Sequence, residues 1–119
     1  MEDYKLGVME TKFACLIWDM APTPSGALVK LCDKEFDWKK STTYTMLRRL
    51  CDRGIFQNID GVVSALLTRQ EFQALQSARF VGETFEGSLP QFLAAFATRA
   101  KFTDSEIEAL QKIINEHKG

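Results

Sequence analysis

Asp60-Gly61 lies between two short β-prone runs in "IFQNIDGVVSALL", within a chain whose other segments space their apolar residues as helices do. Asp-Gly suits a two-residue hairpin turn, because both turn positions need a positive φ that these residues tolerate. Strands are therefore predicted at about 55–58 and 62–66. One hairpin in an otherwise helical sequence leaves few architectures, and the order of helices around it selects among them.

Three helices precede the hairpin. Met9, Phe13, Leu16, Ile17 and Met20 recur at helical spacing, which predicts a first helix over about 8–20. "APTP" ends it. Thr23 and Pro24 then form an N-cap and N1 pair expected to open a second helix, which buries Leu28, Leu31 and Cys32 and fades near Asp37. The third helix starts around Lys40 or Ser41. At about 100° per residue, Thr43, Met46, Leu47 and Leu50 form one stripe. The opposite face carries Ser41, Thr45, Arg48 and Asp52, with Tyr44 on its shoulder. Gly54 is placed as the residue that stops the helix.

More helices follow the hairpin. Thr68 and Glu71 form a capping box with Leu67 and Phe72 as its hydrophobic staple, and Thr103, Glu106, Phe102 and Ile107 repeat the arrangement. Between them "GSLPQFLAAFATR" reads as a further helix, with Ser88 or a neighbour as cap and Pro90 in its first turn. The expected class is mainly α with a small β-hairpin. Residues 1–67 would form a winged helix-turn-helix domain, and residues 68–119 a C-terminal helical region.

Charge is unevenly placed. The chain carries a formal charge of −1, yet "WKKSTTYTMLRRLCDRGIF" holds Lys39, Lys40, Arg48, Arg49 and Arg53 against Asp52 alone. An α-helix fits the DNA major groove, and reading bases there calls for short donors, acceptors and cations opposite a packed face. Ser41, Thr42, Tyr44 and Thr45 supply hydroxyls, and Arg48 can bond guanine with both arms. Lys39, Lys40, Arg49 and Arg53 stand where phosphates would flank the groove. The plainer alternative is a solvated, charged helix face.

Several function classes are excluded. There is no phosphate-binding loop, no H-E-x-x-H and no His placed to activate Cys or Ser, so the chain does not read as an enzyme and no cofactor is expected. Cys15, Cys32 and Cys51 are odd in number and lack a C-x-x-C pair, which points to reduced, buried thiols rather than disulfides or a metal site. His117 lies two residues from the end and reads as solvated. "MEDYKLGVMETKF" lacks the basic start and apolar core of a secretory signal, and no apolar run is long enough to insert in a membrane. A soluble cytoplasmic protein is the reading.

The C-terminal region carries more apolar surface than one small wing domain can cover. Leu89, Phe92, Leu93 and Phe96 share one helix, and Ile107, Leu110, Ile113 and Ile114 share the next. With Phe85 they are the expected contacts to a second copy, the alternative being that they pack on the N-terminal core.

The order of these motifs resembles the penicillinase-repressor family. A Glu-led first helix ends in a Trp-containing apolar run (Glu10, Trp18), and a lone Trp38 precedes the third helix. Thr42 to Leu50 match a Thr-x-x-Thr-Leu-Leu-x-Arg-Leu core, and Arg53-Gly54 match the stop. The tail is similar in length, helix order and its "F-x-G-S" turn. The resemblance implies a homodimeric transcriptional repressor whose winged helix binds half of an inverted-repeat operator in double-stranded DNA. It assigns DNA contact to Lys40, Ser41, Thr42, Tyr44, Thr45 and Arg48. It also implies C-terminal helices intertwined with those of the second subunit, and release when signalling through a membrane sensor-protease leads to cleavage there.

Three departures stand out. The hairpin has no cation, and Asp60 would repel a phosphate, so affinity is expected to rest mostly on the helix. The chain ends "INEHKG", without the cysteine cluster of the copper-responsive branch. The family's scissile position falls at Ala95-Phe96, where the resistance repressors have Asn before the Phe; Phe96 as a plain core or interface residue is the other reading. A different class of function is a winged-helix protein-interaction module with weak or lost DNA binding.

Overall fold

The structure, a computed structural model, describes residues 5–119. The first four residues of the domain expected at 1–67 thus lie outside the described residues. Nine elements follow in order: α1 (Val8–Met20), β1 (Thr23–Pro24), α2 (Ser25–Phe36), α3 (Lys40–Asp52), β2 (Phe56–Ile59), β3 (Val62–Ala65), α4 (Arg69–Thr84), α5 (Leu89–Ala97) and α6 (Asp104–Glu116). The chain forms two compact units, one reaching to Arg79 and the other comprising Phe80–Gly119.

In the first unit, the inner faces of α1, α2 and α3 meet. Phe13, Ala14, Ile17, Leu28, Cys32, Leu47 and Leu50 are buried there with Ile55, Phe56, Val63 and Phe72. Leu31, expected inside, is only half-buried. The hairpin forms with Ile59 opposite Val62 and Phe56 opposite Ala65. Asp60 and Gly61 both take positive φ (52° and 81°), as the mirror-image turn matched to strand twist requires.

A third strand corrects the reading of Thr23-Pro24. Thr23 is not the helix cap. It is buried and pairs with Val63, while Pro24 pairs with Val62, giving an antiparallel sheet in the order β1-β3-β2. α2 starts one residue later, at Ser25, with Pro24 in the cap position and no side-chain cap. Ser25 N–H donates instead to Gly61 O at 2.8 Å, so the wing turn satisfies a helix-end donor that the Thr23 hydroxyl was expected to serve. Pairing to a strand some forty residues away outcompeted a local cap.

Elsewhere local signals held. Gly54 has φ 77°. Its N–H donates to Cys51 O at 2.9 Å and the Ile55 N–H to Leu50 O at 3.2 Å, the paired bonds that close a helix on a left-handed residue. The capping boxes at Thr68/Glu71 and Thr103/Glu106 are both formed. Ser88 caps α5 by accepting from Gln91 N–H at 3.2 Å.

The second unit packs by its rings. Phe80, Phe85 and Phe92 meet edge to face with centroids 5.5–6.0 Å apart. Phe96 joins Phe92 at 6.4 Å and stacks on Phe102 at 6.1 Å. At α6, the Thr103 backbone N–H and then its hydroxyl hold the Glu106 carboxyl below its ordinary range. A depressed carboxylate pKa stabilises at neutral pH, and that contribution is lost as pH falls through the lowered value. Acidification is therefore expected to weaken the carboxylate half of the capping box at the start of α6. Glu106→Gln, which keeps the capping geometry, should flatten the acid titration of the Thr103 amide shift; an unaltered titration would refute the assignment.

Candidate nucleic-acid interface

α3 is held by one face and free on the other. Thr43, Leu47 and Leu50 are buried, whereas Ser41, Thr42, Thr45, Arg48 and Arg49 are exposed. Trp38 pins the turn into the helix, its ring lying 5.3 Å from Phe13 and 4.9 Å from Phe36. Asp37 makes that turn at φ 55°. Ser41, Thr42, Thr45, Met46 and Arg49 line a shallow depression.

The helix start is unusual in its charge. Lys39 occupies the cap position, no side chain caps it, and the first turn has no acidic residue. The ladder begins with Thr43 N–H donating to Lys39 O at 3.1 Å, which leaves the N–H groups of Lys40, Ser41 and Thr42 without intrahelical acceptors. Lys39 and Lys40 are exposed beside this positive end, an arrangement that disfavours itself by about 0.3–1 kcal/mol per charge unless an anion is present. Among the described residues, no ion pair engages Lys39, Lys40, Arg48 or Arg49. Arg49 rests its guanidinium 3.7 Å from Met46 Sδ.

Arg53 departs from the expected phosphate contact. Its Nη1 donates to Glu10 Oε2 at 2.9 Å, and both side chains are largely buried (22% and 16% exposed). Glu10 Oε1 also accepts the Gly7 N–H at 3.1 Å. One carboxylate thus caps α1 and ties the end of α3 to it. Tyr44 is half-buried, and its hydroxyl shares a hydrogen bond with Ser25 Oγ at 3.1 Å. Since Ser25 also binds Gly61 O, that residue joins the recognition face to the wing turn. Sequence reasoning missed Ser25, because a small polar residue after Pro carries no periodic signal.

The wing presents uncharged side chains. Ile59 and Val62, a facing pair, are 58% and 47% exposed, and Gln57 Nε2 donates to Ser64 Oγ at 3.0 Å. No Lys or Arg occurs in β2, its turn or β3. Among the described residues, no cluster of His, Cys, Asp and Glu could hold a metal, and no helix is long and apolar enough to cross a membrane. All three cysteines are free: Cys32 is buried, and Cys15 and Cys51 are half-buried. Burial pushes the Cys32 thiol up, offset in part by the Thr43 hydroxyl beside it; burial and then the Asp52 charge raise Cys51.

In the second unit, the expected dimer contacts divide by exposure. Leu89, Phe96, Ile107, Ile113 and Ile114 are exposed, and Phe85, Phe92, Leu93 and Leu110 are half-buried. None of residues 80–119 is buried. Ala95 and Phe96 lie in the last turn of α5.

Comparison with known proteins decides the family. The family model for the penicillinase repressor matches residues 6–116. The chain belongs to the penicillinase repressor family. It is also 25% identical to the penicillinase repressor of Bacillus licheniformis over 122 aligned positions, covering 99% of this chain and 91% of that protein. The family is one of winged-helix, DNA-binding transcriptional repressors rather than enzymes. The match runs through both units.

Proposed function

We propose that this chain is a homodimeric repressor that docks α3 in the major groove of each half of an inverted-repeat operator. The observation that carries the reading is the outer face of α3. Four cations without ion-pair partners among the described residues surround exposed hydroxyls and an uncapped helix start, on a helix whose other face is locked in a core. Free N–H groups, the helix dipole and lysines together suit a phosphate. Ser41, Thr42, Thr45 and Arg48 then face base edges, and Lys39, Lys40 and Arg49 face the backbone. Tyr44 holds α3 to α2 through Ser25.

The second copy is supported by the unburied apolar faces of α5 and α6. Two of its isoleucines, Ile113 and Ile114, are 53% and 56% exposed on a single chain, and covering such surface contributes about 25 cal/mol per Å². Residues 68–119 serve as the dimerisation region in this reading, and residues 1–67 read DNA. Release by a membrane sensor-protease at Ala95-Phe96 belongs to the same scheme. That bond lies in helix, so the end of α5 must open before a protease can engage it.

Fluorescence anisotropy against duplexes tiling the upstream region, at two salt concentrations, tests the proposal. Tight selective binding of two chains per repeat supports it, with a log–log salt slope near about −0.9 per phosphate contact. Arg48→Ala should weaken the selected duplex by about 1–3 kcal/mol, the worth of a bidentate base contact, and scarcely change binding to unrelated duplexes. A uniform loss across all sequences would remove Arg48 from base reading. The exposed Ile59–Val62 pair on a cation-free wing favours one second reading, a protein-interaction module. Weak binding, equal for every duplex, would select it.

A further inference from the structure

The outer face of α3 is not flat. Ser41, Thr42, Thr45, Met46 and Arg49 enclose a shallow depression of 280 Å³, with room for several groups the size of a water molecule at roughly 30 Å³ each. All five belong to α3, so the depression goes wherever that helix docks. Four of them are exposed polar residues. Met46 is the exception. By helical period it belongs to the buried stripe, yet it is only half-buried. It packs against the core and also reaches the outer face, where its Sδ lies 3.7 Å from Arg49 Nη1.

The lining offers two kinds of contact. The Met46 thioether and the Thr42 and Thr45 methyl groups are apolar. The hydroxyls of Ser41, Thr42 and Thr45 can donate or accept, and among the described residues no hydrogen bond occupies them. In the major groove each base shows its own pattern. Thymine shows a C5 methyl group beside the O4 acceptor. Adenine and cytosine present an amino donor, guanine presents two acceptors, and none of these three carries a methyl. Thymine alone engages both halves of the lining, its methyl on Met46 and its O4 on a hydroxyl. Hydroxyls suit any base edge, so the apolar half does the selecting. A phosphate would use the hydroxyls and Arg49 but set a charge against the thioether, which is unfavourable. Methionine is unbranched and polarisable, and so adapts its shape to what it covers.

We propose that Met46 is a specificity-determining residue which, with Thr42 and Thr45, receives the 5-methyl group of a thymine in each operator half-site. The inference rests on the repressor reading above and names the base that this part of α3 reads. Arg49 stays at the rim, where the donors not turned to Met46 Sδ reach a phosphate.

The test uses the full chain and a duplex that it selects from a randomised pool. Each thymine is replaced in turn by deoxyuridine, at the matching position of both half-sites. Uracil keeps O4 and lacks only the methyl. At one position wild type should bind about fourfold more weakly per half-site, as removal of one buried carbon implies. Met46→Ala should bind the thymine duplex as wild type binds the uracil one, and lose less than about twofold on the replacement. Met46→Leu keeps the apolar bulk and should retain the wild-type response. Met46→Gln, of similar length but polar, should lose it, and serves if the alanine variant fails to fold. A merely structural role would weaken binding to both duplexes alike and leave the thymine response unchanged. A selected half-site without thymine, or no position sensitive to the methyl, overturns the inference and leaves the repressor reading standing. An undiminished response in the folded alanine or glutamine variant does the same. No selection from the pool overturns the repressor reading, and this inference with it, before any thymine is changed.

Discussion

A chain ending at Arg79 is expected to be monomeric and to bind a two-half-site operator at least about a hundredfold more weakly than the full chain. Joining two binding modules makes the second event intramolecular, and avidity then exceeds either single affinity by about 10²–10⁴. The cut removes α5, α6 and the whole Phe80–Phe102 ring cluster, while the core from Phe13 to Phe72 stays intact. Single-half-site affinity should therefore hardly change. Analytical ultracentrifugation and anisotropy on one and two half-sites check both statements. If the shortened chain still sediments as a dimer, the association surface lies in the first unit and the assignment of Leu89, Phe92, Phe96 and Ile113 fails. If it loses single-site binding too, half-site reading by α3 needs residues beyond Arg79.

Phe56→Ala is expected to destabilise the first unit by about 3–5 kcal/mol, the usual cost of removing a fully buried Phe ring. Phe56 is fully buried, opens β2, and lies against Trp18, which bonds to Leu67 and packs on Phe72. The ring thus joins α1, the wing and the start of α4. Small domains hold only about 5–15 kcal/mol in total, so the variant should unfold at much lower urea with an unchanged slope. Phe96→Ala is the contrast. Phe96 is 49% exposed in the single chain, so its loss should weaken association far more than the urea midpoint of the first unit. Equal shifts for the two variants would mean that Phe96 belongs to a continuous core rather than a contact surface.

Where sequence and structure agree, the interactions are short-range. Both capping boxes close within four residues, Gly54 ends α3 with its N–H on Cys51 O and that of Ile55 on Leu50 O, and Asp60-Gly61 turns the hairpin. The stripe of Thr43, Leu47 and Leu50 against Arg48 and Thr45 needs nothing but helical period, which is why the buried and exposed faces of α3 were legible from nineteen residues. Thr23-Pro24 misled because its local meaning, a cap and a first turn, is physically sound. A strand partner at Val62-Val63 supplied a better use for the same backbone.

Long-range pairing has no such signature. Nothing in the spacing of Glu10 and Arg53, or of Arg69 and Asp19, announces that they meet. Arg53 looked like one more phosphate-facing cation because charge composition cannot say which cations already have partners. The fold removes Arg53 from the outer set and leaves Lys39, Lys40, Arg48 and Arg49. By itself, the sequence determined the helices, the hairpin and the family, since period, caps and turn chemistry act over a few residues, but not the strand at Thr23-Pro24. Tertiary structure alone decided which charges stay free, what Thr23 is for and where α4 is held, because those follow from groups brought together across forty or more positions.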